Sequence, residues 1–563
     1  MQTKQYAGIM LLLLTGLFAS SVQAAAPDAG MRQSQIDEAR EAELERQRRL
    51  HPPRLEIETP VQEPETAAEG KGAVFHIQRI EMEGEAEAFP WLQEHLRQRE
   101  DRDMDLAAIN RLVRELNRDL LERGYVTSRV VIPEQNLSQG TLRLVLQAGR
   151  LRGFVYGKES AHVNYDNAFP IGQGDILNLR LLEQGLEQMK RLSSQDVTMR
   201  LLPSGEAGMS DVELTILQHR PVYGSLFFDD SGLKSTGKLQ LGLSLTFEQP
   251  ANANDILQVS VNRDAEFDGY RRGNPSWSLY YSIPAGMNTL TLSYSQSKYH
   301  QWIESAYTGN SFMHHGNSNF LRLAWDHVLE RTQSRKTGME ISVRKRNSHG
   351  YINDVEIGTQ DIHLAALELA FYQRNYLPEA VLYTRLACRR GLPVLFGAKA
   401  DSPWEGSPTA KYHMLLLDID YRKTFSLAHR PAVYTMSLHG QWTPGETHLY
   451  GADMLNIGNR YTVRGFDGED SLLGESGWYL RNELSGAIPR WHSEIYLALD
   501  AGAVYGLNTE DLLGHSLIGA AFGLRGEIAG CLHYDWYIGR ALSYPDGMRI
   551  PHWHSGFSLE LKI

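Results

Sequence analysis

Lys238-Leu239-Gln240-Leu241-Gly242-Leu243-Ser244-Leu245-Thr246-Phe247 places a large apolar residue at every second position, while Lys238, Gln240, Ser244 and Thr246 fill the other face. A period of two is that of a β-strand whose faces meet different surroundings. It returns in Leu257/Val259/Val261, in Trp277/Leu279/Tyr281/Ile283 and in Leu290/Leu292/Tyr294. It closes the chain in Phe557/Leu559/Leu561/Ile563 against Ser558/Glu560/Lys562. Strands of ~9–11 residues, apolar on one side and polar on the other, suit a wall with lipid outside and water inside. A soluble β-sandwich gives a similar alternation, so the front of the chain decides between the two.

Met1 to Ala24 reads as an export signal. Lys4 is its charged start, Ala7 to Ala19 its apolar run, and Val22-Gln23-Ala24 its small-residue cleavage site. The run is shorter than the ~20 residues of a membrane-crossing helix, and no other segment could span as one. An exported chain with many amphipathic strands is then most simply an outer-membrane barrel, because only helices and closed barrels satisfy their backbone in lipid. The expected location is the outer membrane of a Gram-negative cell, with the bilayer itself as one partner. Composition agrees. Two cysteines in 563 residues exclude a disulfide scaffold. Cys388 and Cys531 fall on strands expected far apart around the barrel, so no bridge is expected. A mean hydropathy of -0.37 is too polar for a helical membrane protein but ordinary for a barrel with a wet lumen. A net charge of -12 argues against a nucleic-acid partner.

Five regions are expected after the signal. Residues 25–50 include Arg32 to Leu50, a run of good helix formers that is polar nearly all round. Such a segment is either a disordered charged leader or a helix lodged in a polar, water-filled channel. Pro52-Pro53 stops it, and residues 51–72 read as a flexible linker. Residues 73–149 form a compact α/β module. Phe75, Ile77 and Ile80 start a strand, and a helix after Asp105 carries Leu106, Ile109, Val113, Leu116 and Leu120 on one stripe up to Gly124. Val130-Val131-Ile132 and Leu142/Leu144/Leu146 supply two more strands. Residues 150–219 repeat the plan, with Leu182, Leu186, Met189 and Leu192 on a helix and strands at Val197/Met199/Leu201 and Val212/Leu214/Ile216. Each module should leave sheet edges open to strand addition by an extended peptide.

Residues 220–563 give sixteen candidate antiparallel strands, beginning near Val222, Lys238, Ile256, Ser276, Thr289, Asn319, Thr337, Ile362, Glu379, Tyr412, Ala432, Gly477, Glu494, Ser516, Leu532 and Gly556. Short turns such as Pro284 to Asn288 alternate with long loops such as Ser297 to Ser318 and Phe396 to Lys411, as periplasmic turns and external loops do. An even count puts both barrel ends beside the two modules. The longest loop, about 445–476, is the sixth external one. It contains Val463-Arg464-Gly465-Phe466. An Arg before a Gly is usually a solvated loop tip, but Ile495, Leu497 and Leu499 alternate outward, so Tyr496, Ala498 and Asp500 point into the lumen. A lumenal carboxylate short of water calls for a partner, and an Arg on a loop folded inward supplies one. Gly502, one pleat further along the same face, leaves room for the approach.

Val463-Arg464-Gly465-Phe466 resembles the loop motif of the outer-membrane insertase and secretion superfamily, and Leu499-Asp500-Ala501-Gly502 resembles its lumenal partner. Gly124-Tyr125-Val126-Thr127-Ser128-Arg129-Val130-Val131-Ile132-Pro133-Glu134-Gln135-Asn136-Leu137-Ser138-Gln139-Gly140-Thr141-Leu142 is similar to the first POTRA module of two-partner secretion transporters, the TpsB family of filamentous haemagglutinin and haemolysin transporters. Gly477-Trp478-Tyr479-Leu480-Arg481-Asn482-Glu483-Leu484 fits the same family. The likeness covers essentially the whole mature chain and departs from it at Ile563, where many barrels end in Phe or Trp. It implies that the helix within 25–50 plugs the pore at rest and that residues 73–149 and 150–219 are POTRA modules in the periplasm. It also implies export of one large exoprotein whose N-terminal secretion domain docks on those modules in extended form. It implies biogenesis through the barrel assembly machinery, and the chain is expected to act as a monomer. The alternative is an insertase that folds other barrels. Two modules rather than more, and the charged leader, stand against it.

No catalytic constellation, cofactor or metal is expected. Gly514-His515-Ser516-Leu517-Ile518-Gly519 has Ile518 where a nucleophile elbow needs its second Gly. His314-His315 and His552/His554 are expected in solvated external loops without further ligands.

Overall fold

The computed structural model describes residues 29–53, 55–58, 73–304, 310–395, 397–398, 407–510 and 512–563. The expected export signal, and the linker from residue 59 to 72, lie outside the described residues.

From Val222 onward the chain closes an antiparallel barrel of sixteen principal strands among the described residues, joined by the two-residue strands Arg272–Gly273 and Val355–Glu356. Alternation sorts the wall. Leu367, Leu369, Leu415, Leu417, Leu497 and Leu499 stand exposed on the outside, while Glu368, Asp420 and Asp500 are buried on the inside. The first strand, Val222–Asp229, pairs with the last, His554–Lys562, from Ser225↔Lys562 to Asp229↔Ser558. Ile563 completes the seam by donating its N–H to the Gly224 carbonyl at 2.9 Å and accepting the return bond at 3.0 Å. No helix among the described residues is long and apolar enough to cross a membrane.

Most strands begin within two residues of the expected positions. The exception is the sixth. It starts at Ser311 rather than near Asn319 and runs 21 residues to Arg331, so the expected loop from Ser297 to Ser318 is mostly wall. The reason is physical. A strand needs apolar alternation only over the ~9–11 residues that face lipid, and this hairpin continues above the bilayer, where polar side chains are tolerated on both faces. His314 and His315 therefore sit on a strand, not in a loop. His314 is buried against the Tyr299 hydroxyl and the Gln301 amide, each 3.3 Å away. His554 likewise opens the last strand, buried beside the Tyr537 hydroxyl at 3.3 Å, and only His552 remains in a loop.

The leader is a helix, α1 (Ala29–Leu50), inside the barrel. The first periplasmic module packs α2 (Pro90–Arg97) and α3 (Leu106–Glu122) on a sheet ordered Arg79–Gly84, Thr141–Gln147, Arg129–Val131. Asp105 caps α3 by accepting the Ala108 N–H at 2.7 Å. Leu112 replaces Leu106 on the buried stripe, because the cap leaves Leu106 on the outer side of the first turn, half exposed. Phe75–Ile77 and Ile80 belong to separate strands, the former paired with Arg102–Met104.

The second module carries α4 (Leu179–Met189) on a sheet ordered Ile57–Glu58, Gln195–Pro203, Met209–Gln218, Arg150–Tyr156. One of its edges is therefore not open. Linker residue Ile57 pairs in parallel with Met199, and the Met199 N–H donates to the Glu56 carbonyl at 3.1 Å. Ile57 is apolar amid a polar linker and finds its burial on this module's core.

Module two is also bolted to the barrel. Glu248, at the end of the second barrel strand, accepts the Ser193 N–H at 2.9 Å and the Ser194 N–H at 2.7 Å. Glu187 of α4 takes Lys336 at 2.8 Å and Arg331 beside it.

Candidate functional site

The sixth external loop leaves the wall at Trp442 and returns at Ser476, folding into the lumen instead of outward. Its apolar residues explain the direction. Val463 and Phe466 are fully buried with Leu455, Ile457, Leu472, Val504 and Leu517, and a loop with that many large apolar groups is stable only where it can hide them. The short hairpin Leu455–Ile457/Leu472–Gly474 stiffens its base.

At the tip, Arg464 meets Asp500 of the strand Ser493–Tyr505. Nε donates to Oδ2 at 2.7 Å, Nη2 to Oδ1 at 3.0 Å, and the Arg464 backbone N–H to Oδ2 at 3.0 Å. The Asn482 N–H adds a bond to Oδ1 at 3.2 Å. Asp500 is 0% exposed and Arg464 5%, so the pair is dry, and a planar fork is the cation that satisfies both carboxylate oxygens at once. The remaining guanidinium nitrogen, Nη1, donates to Glu483 at 2.5 Å, and Glu483 is held in turn by Arg525 at 2.7 Å.

Gly465 adopts φ +103°, and a Cβ there would stand 2.6 Å from the Arg540 carbonyl oxygen. Gly502 does make room, though for a different part of the loop than expected: its missing Cβ lies 3.2 Å from Ile457 Cδ1. Space for Arg464 itself comes from Gly519, where a Cβ would fall 1.9 Å from the Arg464 carbonyl oxygen, and for Gly465 from Gly539. Sequence reading missed Gly519, Gly539 and Glu483. Only Glu483 left a signal, because Tyr479, Arg481 and Glu483 alternate as polar residues on one face of a wall strand.

Helix α1 also lies in the lumen and touches both wall and loop. On the wall, Glu43 pairs with Arg481 at 2.7 Å, Glu38 with Arg346 and with Arg344 at 3.6 Å, and Arg49 with Asp420 at 3.9 Å. Arg40 and Arg49 lie over the Phe227 and Tyr383 rings, 4.8 and 5.0 Å from their centroids. On the loop, Gln35 donates to the Gly451 carbonyl and accepts from Asn456, both at 2.8 Å, and Arg32 donates to the Glu469 carbonyl at 2.5 Å. Charges on several sides of α1 therefore find partners on the wall and the loop. A cavity of about 1580 Å³ remains beside it, lined by residues such as Arg48, Asp326 and Tyr280. Its size, and the charged and hydroxyl groups among its lining residues, leave space for water in the lumen.

The barrel lumen thus holds two separate elements, the inward loop and the helix α1. The profile of the haemolysin secretion/activation protein family ShlB/FhaC/HecB matches residues 208–526, a POTRA domain of ShlB type matches 75–149, and a further POTRA domain matches 150–203. The outer membrane transporter CdiB-2 of Burkholderia pseudomallei (strain 1026b) is 37% identical over 454 residues, 80% of this chain and 77% of that one. The hemolysin transporter protein HpmB of Proteus mirabilis is 28% identical over 392 residues, 68% and 67% of the two chains. The solved structure of CdiB from Escherichia coli superposes with a TM-score of 0.84 at 27% identity, covering 96% of this chain and 100% of that one. With the family profile covering residues 208–526 and a relative 37% identical across 80% of its length, the chain belongs to the ShlB/FhaC/HecB family and is a two-partner secretion transporter of the outer membrane.

Proposed function

We propose that the transporter recognises one exoprotein by strand addition to its second POTRA module and threads it through the barrel after α1 has left. The observation that carries this reading is the pairing of Ile57 with Met199. The linker already lies on the edge strand Gln195–Pro203 as an added strand would. An extended segment of the exoprotein's N-terminal secretion domain that takes this edge must displace Ile57–Glu58. That strand and the plug α1 belong to one continuous stretch, so loosening the strand frees the connection that tethers the plug within the pore. Docking and opening are coupled in this way without nucleotide. No residue of the lumen is assigned a catalytic role. The barrel assembly machinery inserts the chain, which works as a monomer.

The test uses the full chain in detergent and the unfolded secretion domain of its exoprotein. Ile57→Asp removes the linker's apolar anchor and should tighten binding several-fold, while an unrelated unfolded chain gains nothing. Unchanged or weaker binding would show that the exoprotein does not use this edge. Equal binding of unrelated chains would instead favour a general insertase.

A further inference from the structure

His349 lies near the upper end of the strand Arg335–Ile352 and His363 at the start of the strand Ile362–Leu377. By alternation both lie on the outer face of the wall, opposite Arg346 and Glu368, which point inward at α1 and at Arg389. The fourth external loop joins the two strands and supplies Glu356 and Asp361. Asp361 Oδ1 stands 3.2 Å from His349 Nδ1 and 3.0 Å from His363 Nε2, and one ligand atom from each of the three lies within 4.8 Å of the others. Glu356 Oε1 is also 3.2 Å from His349 Nδ1.

Two ligands of a tetrahedral Zn²⁺, each about 2.0–2.1 Å from the ion, are separated by about 3.3 Å. The distances here are close to that. Hydrogen bonds account for one carboxylate per ring, Glu356 on His349 and Asp361 on His363, and leave the approach of Asp361 to His349 at 3.2 Å to be explained. His349 Nδ1 has two carboxylate oxygens at the same distance, and one N–H cannot point at both. Asp361 turns a single oxygen toward both rings, which a shared cation would explain.

We propose that His349, Asp361 and His363 bind one divalent transition metal, Zn²⁺ by preference, with Glu356 or water in the fourth position. Two imidazoles and a carboxylate favour Zn²⁺ over Ca²⁺ or Mg²⁺, which take oxygen ligands. The site ties the two ends of the fourth external loop together outside the pore, so it steadies that loop and has no part in passage of the exoprotein. Sequence spacing gave no hint of it, because the loop brings residues 349, 356, 361 and 363 together only when the hairpin forms.

The experiment is titration of Zn²⁺ alone into the untagged, chelator-stripped full chain in detergent, followed by calorimetry. About one ion per barrel should bind. His349→Ala and His363→Ala should each raise Kd by more than about tenfold, the lower bound for losing even a supporting group around a metal. His315→Ala, beside the neighbouring Asp354, should leave it unchanged, and excess Ca²⁺ should not compete. Asp361→Asn keeps the shape of the loop and serves if a histidine variant fails to fold. Absence of Zn²⁺ binding, or binding untouched by these substitutions, overturns the proposal.

Discussion

Helix α1 and the tip of the sixth loop both lie inside the same barrel, yet they are held in different ways. The loop is fixed by a dry fork, Arg464 on Asp500, with four N–H groups converging on one carboxylate, and by an apolar cluster that includes Val463 and Phe466. The helix has no apolar cluster of comparable size. Ile36 and Leu50 are its buried apolar residues among those described, and the rest of its contacts are dispersed ion pairs, hydrogen bonds and ring contacts beside a cavity. A buried charge pair is costly to break because the survivor stays desolvated, whereas a pair that water can reach exchanges partners at little net cost. On the proposed reading, the difference separates a permanent fixture from a stopper: the loop stays with the wall and the helix leaves before export.

The sharpest way to break this contrast is to cut the fork. Arg464→Ala or Asp500→Ala should each cost ~3–5 kcal/mol at the loop and nearly abolish exported partner in the medium, while folded barrel persists in the outer membrane. The double variant should be no worse than the worse single, since the two residues act as one unit. Arg464→Lys should fall between, because a point charge cannot bridge both oxygens. Normal export from both alanine variants would mean the loop is not anchored inside the pore. A smaller effect is expected from Gly519→Ala, whose methyl group would collide with the Arg464 carbonyl. Overpacking of this kind costs ~1–3 kcal/mol, and partial loss of export with an intact barrel is the expected readout. Smallest in export, though large in conductance, is deletion of residues 29–50. Single barrels in planar bilayers should conduct more, and secretion should largely survive. Unchanged conductance would return α1 to the status of a charged leader.

Much of this could be read from the chain. The alternation at Leu239 to Phe247 and its repeats, taken with the export signal at Met1 to Ala24, marks a lipid-facing wall, because the signal turns a pattern shared with soluble sandwiches into that of a barrel. Asp500 could be placed inward from its neighbours Leu497 and Leu499 alone. Strand limits failed where the environment stops imposing a pattern, as above the bilayer from Ser311 to Ser318. Gly519, Gly539 and the pairing of Ile57 with Met199 were illegible for another reason. Each depends on where a distant segment arrives after the barrel or sheet has closed, and local composition carries no record of that. The charged α1 could be read two ways because its partners, Arg346, Arg481 and Asp420, are spread over the barrel wall, far from it in sequence.

The central claim is that the helix leaves and the loop stays, and one measurement tests it most directly. In a background free of Cys388 and Cys531, a short bifunctional thiol reagent links either Glu43→Cys to Arg481→Cys, helix to wall, or Lys234→Cys to Asp467→Cys, which joins the sixth loop to the first external loop. The native side chains span 2.7 and 3.4 Å at these places, so both links fit the resting state. Export of the partner exoprotein is then followed in linked and unlinked cells. The account predicts that the helix link stops export and the loop link leaves it near the unlinked level. Export that continues past the helix link, or that stops with the loop link, would contradict it.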